Sequence, residues 1–116
     1  MVNSEDYIPE RGDIVWITLN PRVGHEQSGR RPAVIISPSS YNRKANLALT
    51  CPITSKVKGY PFEVILPDKL PVTGSILADQ LRSLDWREGE AVFIARIPDE
   101  VIEQLFMRIE AFILNR

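Results

Sequence analysis

Apolar positions along the first 95 residues fall into short clusters, each followed by turn-forming residues. Residues 14–19 (Ile-Val-Trp-Ile-Thr-Leu) predict a first strand, starting just after Gly12 and Asp13. Residues 32–37 hold a continuous apolar run, as expected of a strand buried on both faces. Residues 39–45 have the polar make-up of a short helical turn. A third strand is expected over 47–53, broken by Pro52 near its end. Further strands are expected over 62–66, 75–78 and 82–86, with another over 90–95. Between them lie a long polar loop, 20–31, and a flexible-looking loop, 54–59. Nine prolines and six glycines supply the punctuation.

The period then changes. Val101, Ile102, Leu105, Phe106, Ile109, Phe112 and Ile113 recur at steps of three and four, which is one face of a helix. Asp99 and Glu100 place negative charge in its first turn. Pro98 suits the first helical position, where its missing N–H costs nothing. Short strands closed by one amphipathic helix predict a mainly β fold with a C-terminal α-helix, a small barrel with the helix packed on it.

Composition narrows the class. A chain of 116 residues is expected to form a single domain, 1–116, with a core large enough to need no disulfide or metal staple. The longest apolar run, Ala91 to Ala95, is far short of the twenty or so residues of a membrane span. The N-terminal stretch is acidic and lacks an apolar segment, so no signal peptide is expected. One cysteine, Cys51, forbids an internal disulfide, and a cytoplasmic location is expected. The net charge of −1 conceals an uneven distribution: residues 20–60 balance to +6, whereas their flanks are acidic. Such a middle third can present a face that attracts phosphates.

Several chemistries are excluded by what is missing. One histidine and one cysteine do not make up the usual metal-ligand sets, so no metal and no cofactor are expected. There is no glycine-rich phosphate cradle and no nucleophile elbow. Cys51 sits within an apolar strand, where packing is the expected role. What remains is the loop Gly24-His-Glu-Gln-Ser-Gly-Arg-Arg-Pro32. It carries an imidazole, a carboxylate, an amide and two guanidiniums, and leads straight into a buried strand that would hold Arg31 near a rigid scaffold.

The stretches RGDIVWI at 11–17, GHEQSGRRPAVIISP at 24–38, CPITS at 51–55, KGYPFEV at 58–64 and LADQLRSLDW at 77–86 occur in order before the terminal helix. In these the chain resembles the MazF/PemK (Kid) toxins of bacterial toxin–antitoxin modules. The resemblance implies an SH3-like barrel of the CcdB/Kid type, acting as a homodimer. It implies a sequence-specific, metal-independent endoribonuclease that cuts single-stranded mRNA, leaving 2′,3′-cyclic phosphate and 5′-hydroxyl ends. It also implies an acidic antitoxin of the MazE/PemI kind, through which the complex would bind operator DNA. The alternatives within reach of the fold are a CcdB-like gyrase-binding toxin and a non-catalytic SH3-like interaction module.

Metal-free cleavage requires a base for the 2′-hydroxyl, a group that stabilises charge on phosphorus, and help for the departing 5′-oxygen. Arg31 matches the family's loop arginine, and its planar fork suits a phosphate clamp. Thr54 matches the threonine after the third strand; its hydroxyl can donate to the same phosphate or cap a turn. His25, Glu26 and Asp79 are the candidate bases. Kid-type members carry an arginine two residues before the aspartate, where this chain has Leu77, which shifts weight to Arg31. Gln27, Ser55, Lys58, Tyr60, Phe62, Asp79, Gln80 and Arg82 match positions lining the family's RNA groove, and supply stacking faces and amides. Trp16 and Trp86 are assigned to the core or to a dimer interface.

Overall fold

A computed structural model describes residues 6–19 and 29–115. Among the described residues, seven strands and two helices follow one another: β1 (Asp13–Thr18), β2 (Arg30–Ile35), α1 (Ser39–Ala45), β3 (Leu47–Thr54), β4 (Glu63–Ile65), β5 (Ser75–Leu77), β6 (Arg82–Asp85), β7 (Val92–Arg96) and α2 (Asp99–Ile113). Among the described residues the strands form one antiparallel sheet ordered β4-β5-β3-β2-β1-β7, with β6 also paired to β3. The mainly β fold with a C-terminal helix is as expected, and the sheet is compatible with a small SH3-like barrel.

The continuous apolar run of β2 has a clear structural reason. Val34 belongs to a cluster with Ile14, Cys51, Ile53, Ile76, Val101, Leu105 and Ile109, under α2. Its neighbours Ala33 and Ile35 point the other way, into a second cluster with Val15, Ile17, Ala48, Leu84 and Trp86. The same two-sided burial accounts for Ile14, Val15 and Ile17 in β1, all fully buried. Pro98 lies one position earlier than expected. It is the extended N-cap of α2 (ψ 156°), outside the helical turn, while Asp99 and Glu100 occupy the first turn.

Most strand limits shift by one or two residues from the sequence reading, and two of these shifts bear on the site. Arg30 and Arg31 were expected in a loop, yet β1 pairs with β2 down to Ile17↔Arg31 and Thr18↔Arg30, so both arginines stand on the sheet. Pro52 does not break β3, which runs on to Thr54. Instead the strand changes neighbours there. Leu47 to Thr50 pair with β6, and Ile53 and Thr54 pair with β5. A residue with no N–H is a natural point for such an exchange.

At the other end of the sheet, the Tyr7 hydroxyl donates to Asp13 Oδ2 at 2.7 Å, and the Glu10 N–H donates to the same atom at 3.0 Å. Arg96 Nη1 lies 3.6 Å from the other oxygen of this buried carboxylate. Burial, then the bond to Asp13, holds the Tyr7 phenol well above its usual range. A folded-state pKa raised in this way stabilises the native chain fully below the unfolded phenol's value, about 10, and the contribution fades above it. Denaturant midpoints measured between neutral and strongly alkaline pH should therefore fall more gently above pH ~10 in Tyr7→Phe than in the parent chain. Equal slopes would remove the phenol from this account.

Candidate functional site

The ladder between β2 and β3 runs from Ile35↔Thr50 through Val34↔Cys51 to Ala33↔Pro52. Pro32 and Pro52 both lack the N–H that further rungs would use. Continued two residues further, this register would bring Arg31 opposite Thr54. A cleft of about 670 Å³ occupies this end of the sheet, lined by Arg31, Pro32, Pro52, Thr54, Ser55, Lys56, Gln80 and Arg82. A second lobe of about 240 Å³ shares Thr54, Lys56, Leu77 and Gln80 with the first and adds Lys58, Tyr60, Phe62, Glu63 and Asp79.

Adjacent strand residues point to opposite faces, and the two arginines divide accordingly. Arg30 is fully engaged. Its Nη1 donates to Thr18 Oγ1 at 2.9 Å and to the Gly89 carbonyl at 3.0 Å. Its Nη2 donates to the carbonyls of Trp16 and Glu90 at 3.1 and 2.9 Å. It braces β1 against the 85–91 turn, which makes it a structural residue and not a cleft cation. The Arg31 guanidinium is exposed in the cleft and makes no hydrogen bond or ion pair to any described residue.

Of the two roles considered for Thr54, the turn is the one on display. Its Oγ1 accepts the Lys56 N–H at 3.1 Å, a local turn that fixes the hydroxyl. A hydroxyl also has one proton to donate, and this bond leaves that proton unused. Beneath Thr54 the backbone of Gly74 (φ +120°) approaches so closely that a Cβ there would meet the Thr54 carbonyl oxygen.

The second lobe is built on a tight loop. Tyr60 is 60% exposed, and the Lys58 ammonium lies 5.9 Å from its ring centroid. Phe62 is half-buried, packing edge-on against Phe112 at 5.4 Å while one side faces the lobe. A turn closed by the Gln80 N–H to the Leu77 carbonyl (3.1 Å) presents Asp79 and Gln80, both exposed, at the junction.

Eleven sequence candidates lie among the described residues, counting Trp16 and Trp86, and the structure treats them unevenly. Arg31, Thr54, Ser55, Gln80 and Arg82 meet in the first lobe, where Thr50 Oγ1 also donates to the Arg82 carbonyl at 2.9 Å. Lys58, Tyr60, Phe62 and Asp79 meet in the second. His25, Glu26 and Gln27 lie outside the described residues. The tryptophans part company. Trp86 is buried, its indole N–H donating to the Asn42 carbonyl at 2.9 Å, whereas Trp16 is 41% exposed and lines the cleft. Cys51 is buried, and desolvation followed by the Asp79 charge pushes its thiol up to about 12, which suits packing and not nucleophilic attack.

The positive charge is also distributed differently from the middle-third picture. Arg43 and Lys44 sit in α1, which leads into the Leu47 end of β3, and that end lies roughly 23 Å from Thr54 by strand rise. The cleft draws its cations from Arg31, Lys56, Lys58 and Arg82. Lys56 and Glu63 were not singled out in the sequence. For Lys56 the signal was its place two residues after Thr54.

Fold and cleft together define a small antiparallel β protein whose sheet end forms a cationic, two-lobed groove suited to a phosphate-bearing chain. Residues 10–113 match the family of PemK-like, MazF-like toxins of type II toxin–antitoxin systems, and the chain belongs to that family. It is 39% identical to the endoribonuclease toxin MazF of Escherichia coli K12 over 107 residues, covering 92% of this chain and 96% of that one. It is 31% identical to the Escherichia coli endoribonuclease PemK, over 90% of this chain and 81% of the other. Among solved structures, MazF from Deinococcus radiodurans superposes with a TM-score of 0.85 at 46% identity, covering 93% and 98% of the two chains. A MazE–MazF complex from the same organism matches with a TM-score of 0.83 at 42% identity, covering 93% and 97%.

Proposed function

We propose that this toxin is an endoribonuclease that cuts single-stranded RNA at defined sequences without a metal ion, leaving a 2′,3′-cyclic phosphate and a 5′-hydroxyl. Family membership and its similarity to endoribonuclease relatives support the activity. The cleft supports the finer chemistry. The observation that carries it is the Arg31 guanidinium, unpartnered among described residues, in one cleft with a threonine whose hydroxyl proton is unused.

In this reaction the RNA's own 2′-oxygen attacks phosphorus, the O2′–P bond forms and the P–O5′ bond breaks. Arg31 stabilises the charge that accumulates on the non-bridging oxygens, and Thr54 donates a hydrogen bond to one of them. The 2′-hydroxyl proton passes to a base, and the 5′-oxygen takes up a proton as it leaves. Asp79 stands in the second lobe, which Arg31 does not line, and this favours base reading for Asp79 and proton abstraction by His25 or Glu26. Ser55, Lys58, Tyr60, Phe62, Gln80 and Arg82 hold the RNA, with Gln27 assigned to the same task. Among the described residues no group of three His, Cys, Asp or Glu side chains could hold a metal ion.

The partners follow from the family. A cognate acidic antitoxin of the MazE/PemI kind would neutralise the toxin, which we take to act as a homodimer in the cytoplasm, and would carry the complex to operator DNA. Among the described residues no helix is long and apolar enough to cross a membrane.

The test is incubation of the purified toxin with a long single-stranded RNA in excess EDTA. Discrete cuts are expected, with 2′,3′-cyclic phosphate at one end and 5′-hydroxyl at the other. Products with 5′-phosphates, or abolition by EDTA, would overturn the mechanism.

A further inference from the structure

A carboxylate on the floor of a phosphate-binding groove works against the groove's charge unless it is committed to something else. Glu63 is such a group. It is only 7% exposed, lies at the start of β4 opposite Leu77, and lines the second lobe. No described lysine, arginine or histidine forms an ion pair with it, the one described ion pair being Arg96 with Asp13. Its negative charge is met by backbone instead. The Lys58 N–H reaches both oxygens at 3.1 Å, and the Gly59 N–H donates to Oε1 at 2.9 Å. The Glu63 N–H returns a bond to the Tyr60 carbonyl at 3.0 Å. Residues 58–63 are thus a closed clasp, with Gly59 at φ +77° allowing two successive amides to converge on one carboxylate.

The clasp holds the two side chains that give the second lobe its character. Lys58 and Tyr60 project from the pinned backbone, one as cation and the other as stacking face. Bonds from amides to an ionised, buried acceptor are stronger than neutral ones, so this loop is set before a ligand arrives. We infer that Glu63 is the positioning residue that sets RNA sequence preference, holding Lys58 and Tyr60 where the base beside the scissile phosphate must fit. The inference rests on the RNA-cleaving reading of the cleft. It assigns no contact between Glu63 and the reacting atoms, which lie by Arg31 and Thr54 in the first lobe.

The experiment compares wild type, Glu63→Ala and Glu63→Gln on a short synthetic RNA bearing one mapped cleavage site, and on single-base variants of that site. Amide hydrogen exchange at Lys58 and Gly59 is measured on the same proteins without RNA. Glu63→Ala should speed exchange at both amides, raise KM about tenfold and lower the preference for the mapped site about tenfold, while kcat stays within about threefold. Glu63→Gln keeps a carbonyl acceptor and should recover most of the preference. Unchanged exchange would show that the carboxylate does not hold the loop. Faster exchange with KM and preference intact would show that the loop does not read RNA, and a loss confined to kcat would place Glu63 in the chemistry. Each of these three overturns the inference and leaves the nuclease reading standing. A wild-type chain that leaves the RNA whole overturns both.

Discussion

Arg31→Ala should lower the cleavage rate about 100- to 1,000-fold, the usual consequence of removing one donor aimed at developing charge. The fold should be untouched, because the guanidinium is exposed and holds no described partner. Its neighbour provides the control. Arg30 ties β1 to the 85–91 turn through four bonds, so Arg30→Ala should lower stability while any loss of cleavage follows unfolding. Single-turnover rates at saturating RNA, alongside urea midpoints for both variants, separate these effects. Near-wild-type cleavage by a folded Arg31→Ala protein would take charge stabilisation away from this arginine.

Gly74→Ala should be the most damaging small substitution near the cleft. A Cβ at φ +120° is strained in itself, and here it would lie 2.0 Å from the Thr54 carbonyl oxygen and 2.8 Å from its carbon. Backbone strain and overpacking together cost about 2–5 kcal/mol, against a total stability of about 5–15 kcal/mol for a domain. The relief available is movement of the β3 end, which carries Thr54 away from Arg31. The urea midpoint should drop, and the protein that remains folded should still cleave poorly. A variant with unchanged midpoint and unchanged cleavage would contradict the close approach.

The strands and the terminal helix were legible because side chains repeat at periods of two and 3.6, and burial enforces those periods. The polar ends of the strands were not. Arg30, Arg31 and Thr54 read as loop residues, since nothing apolar marks them; only pairing with β1 and β5 shows that they stand on the sheet. Pro52 carried a real signal that was taken as a strand break when it marks an exchange of partners. Trp16 could not be placed by alternation because both faces of β1 are apolar, so period two names no solvent side. Glu63, between Phe62 and Val64, drew no attention in the sequence. Its burial follows from a loop that folds back over it, which no local pattern encodes.

The bond from the Lys56 N–H to Thr54 Oγ1 bears on timing as well as on placement. Because the oxygen is already held by its own chain, the torsional freedom of that side chain is lost during folding and not at the encounter with RNA. The proton then needs to search only a small arc to find an approaching oxyanion. Catalytic groups prepared in this way reorganise little as charge develops, and that small reorganisation is a large part of what separates a catalyst from a binding surface. On the proposed reading of the cleft, the backbone turn at position 54 then belongs to the catalytic apparatus.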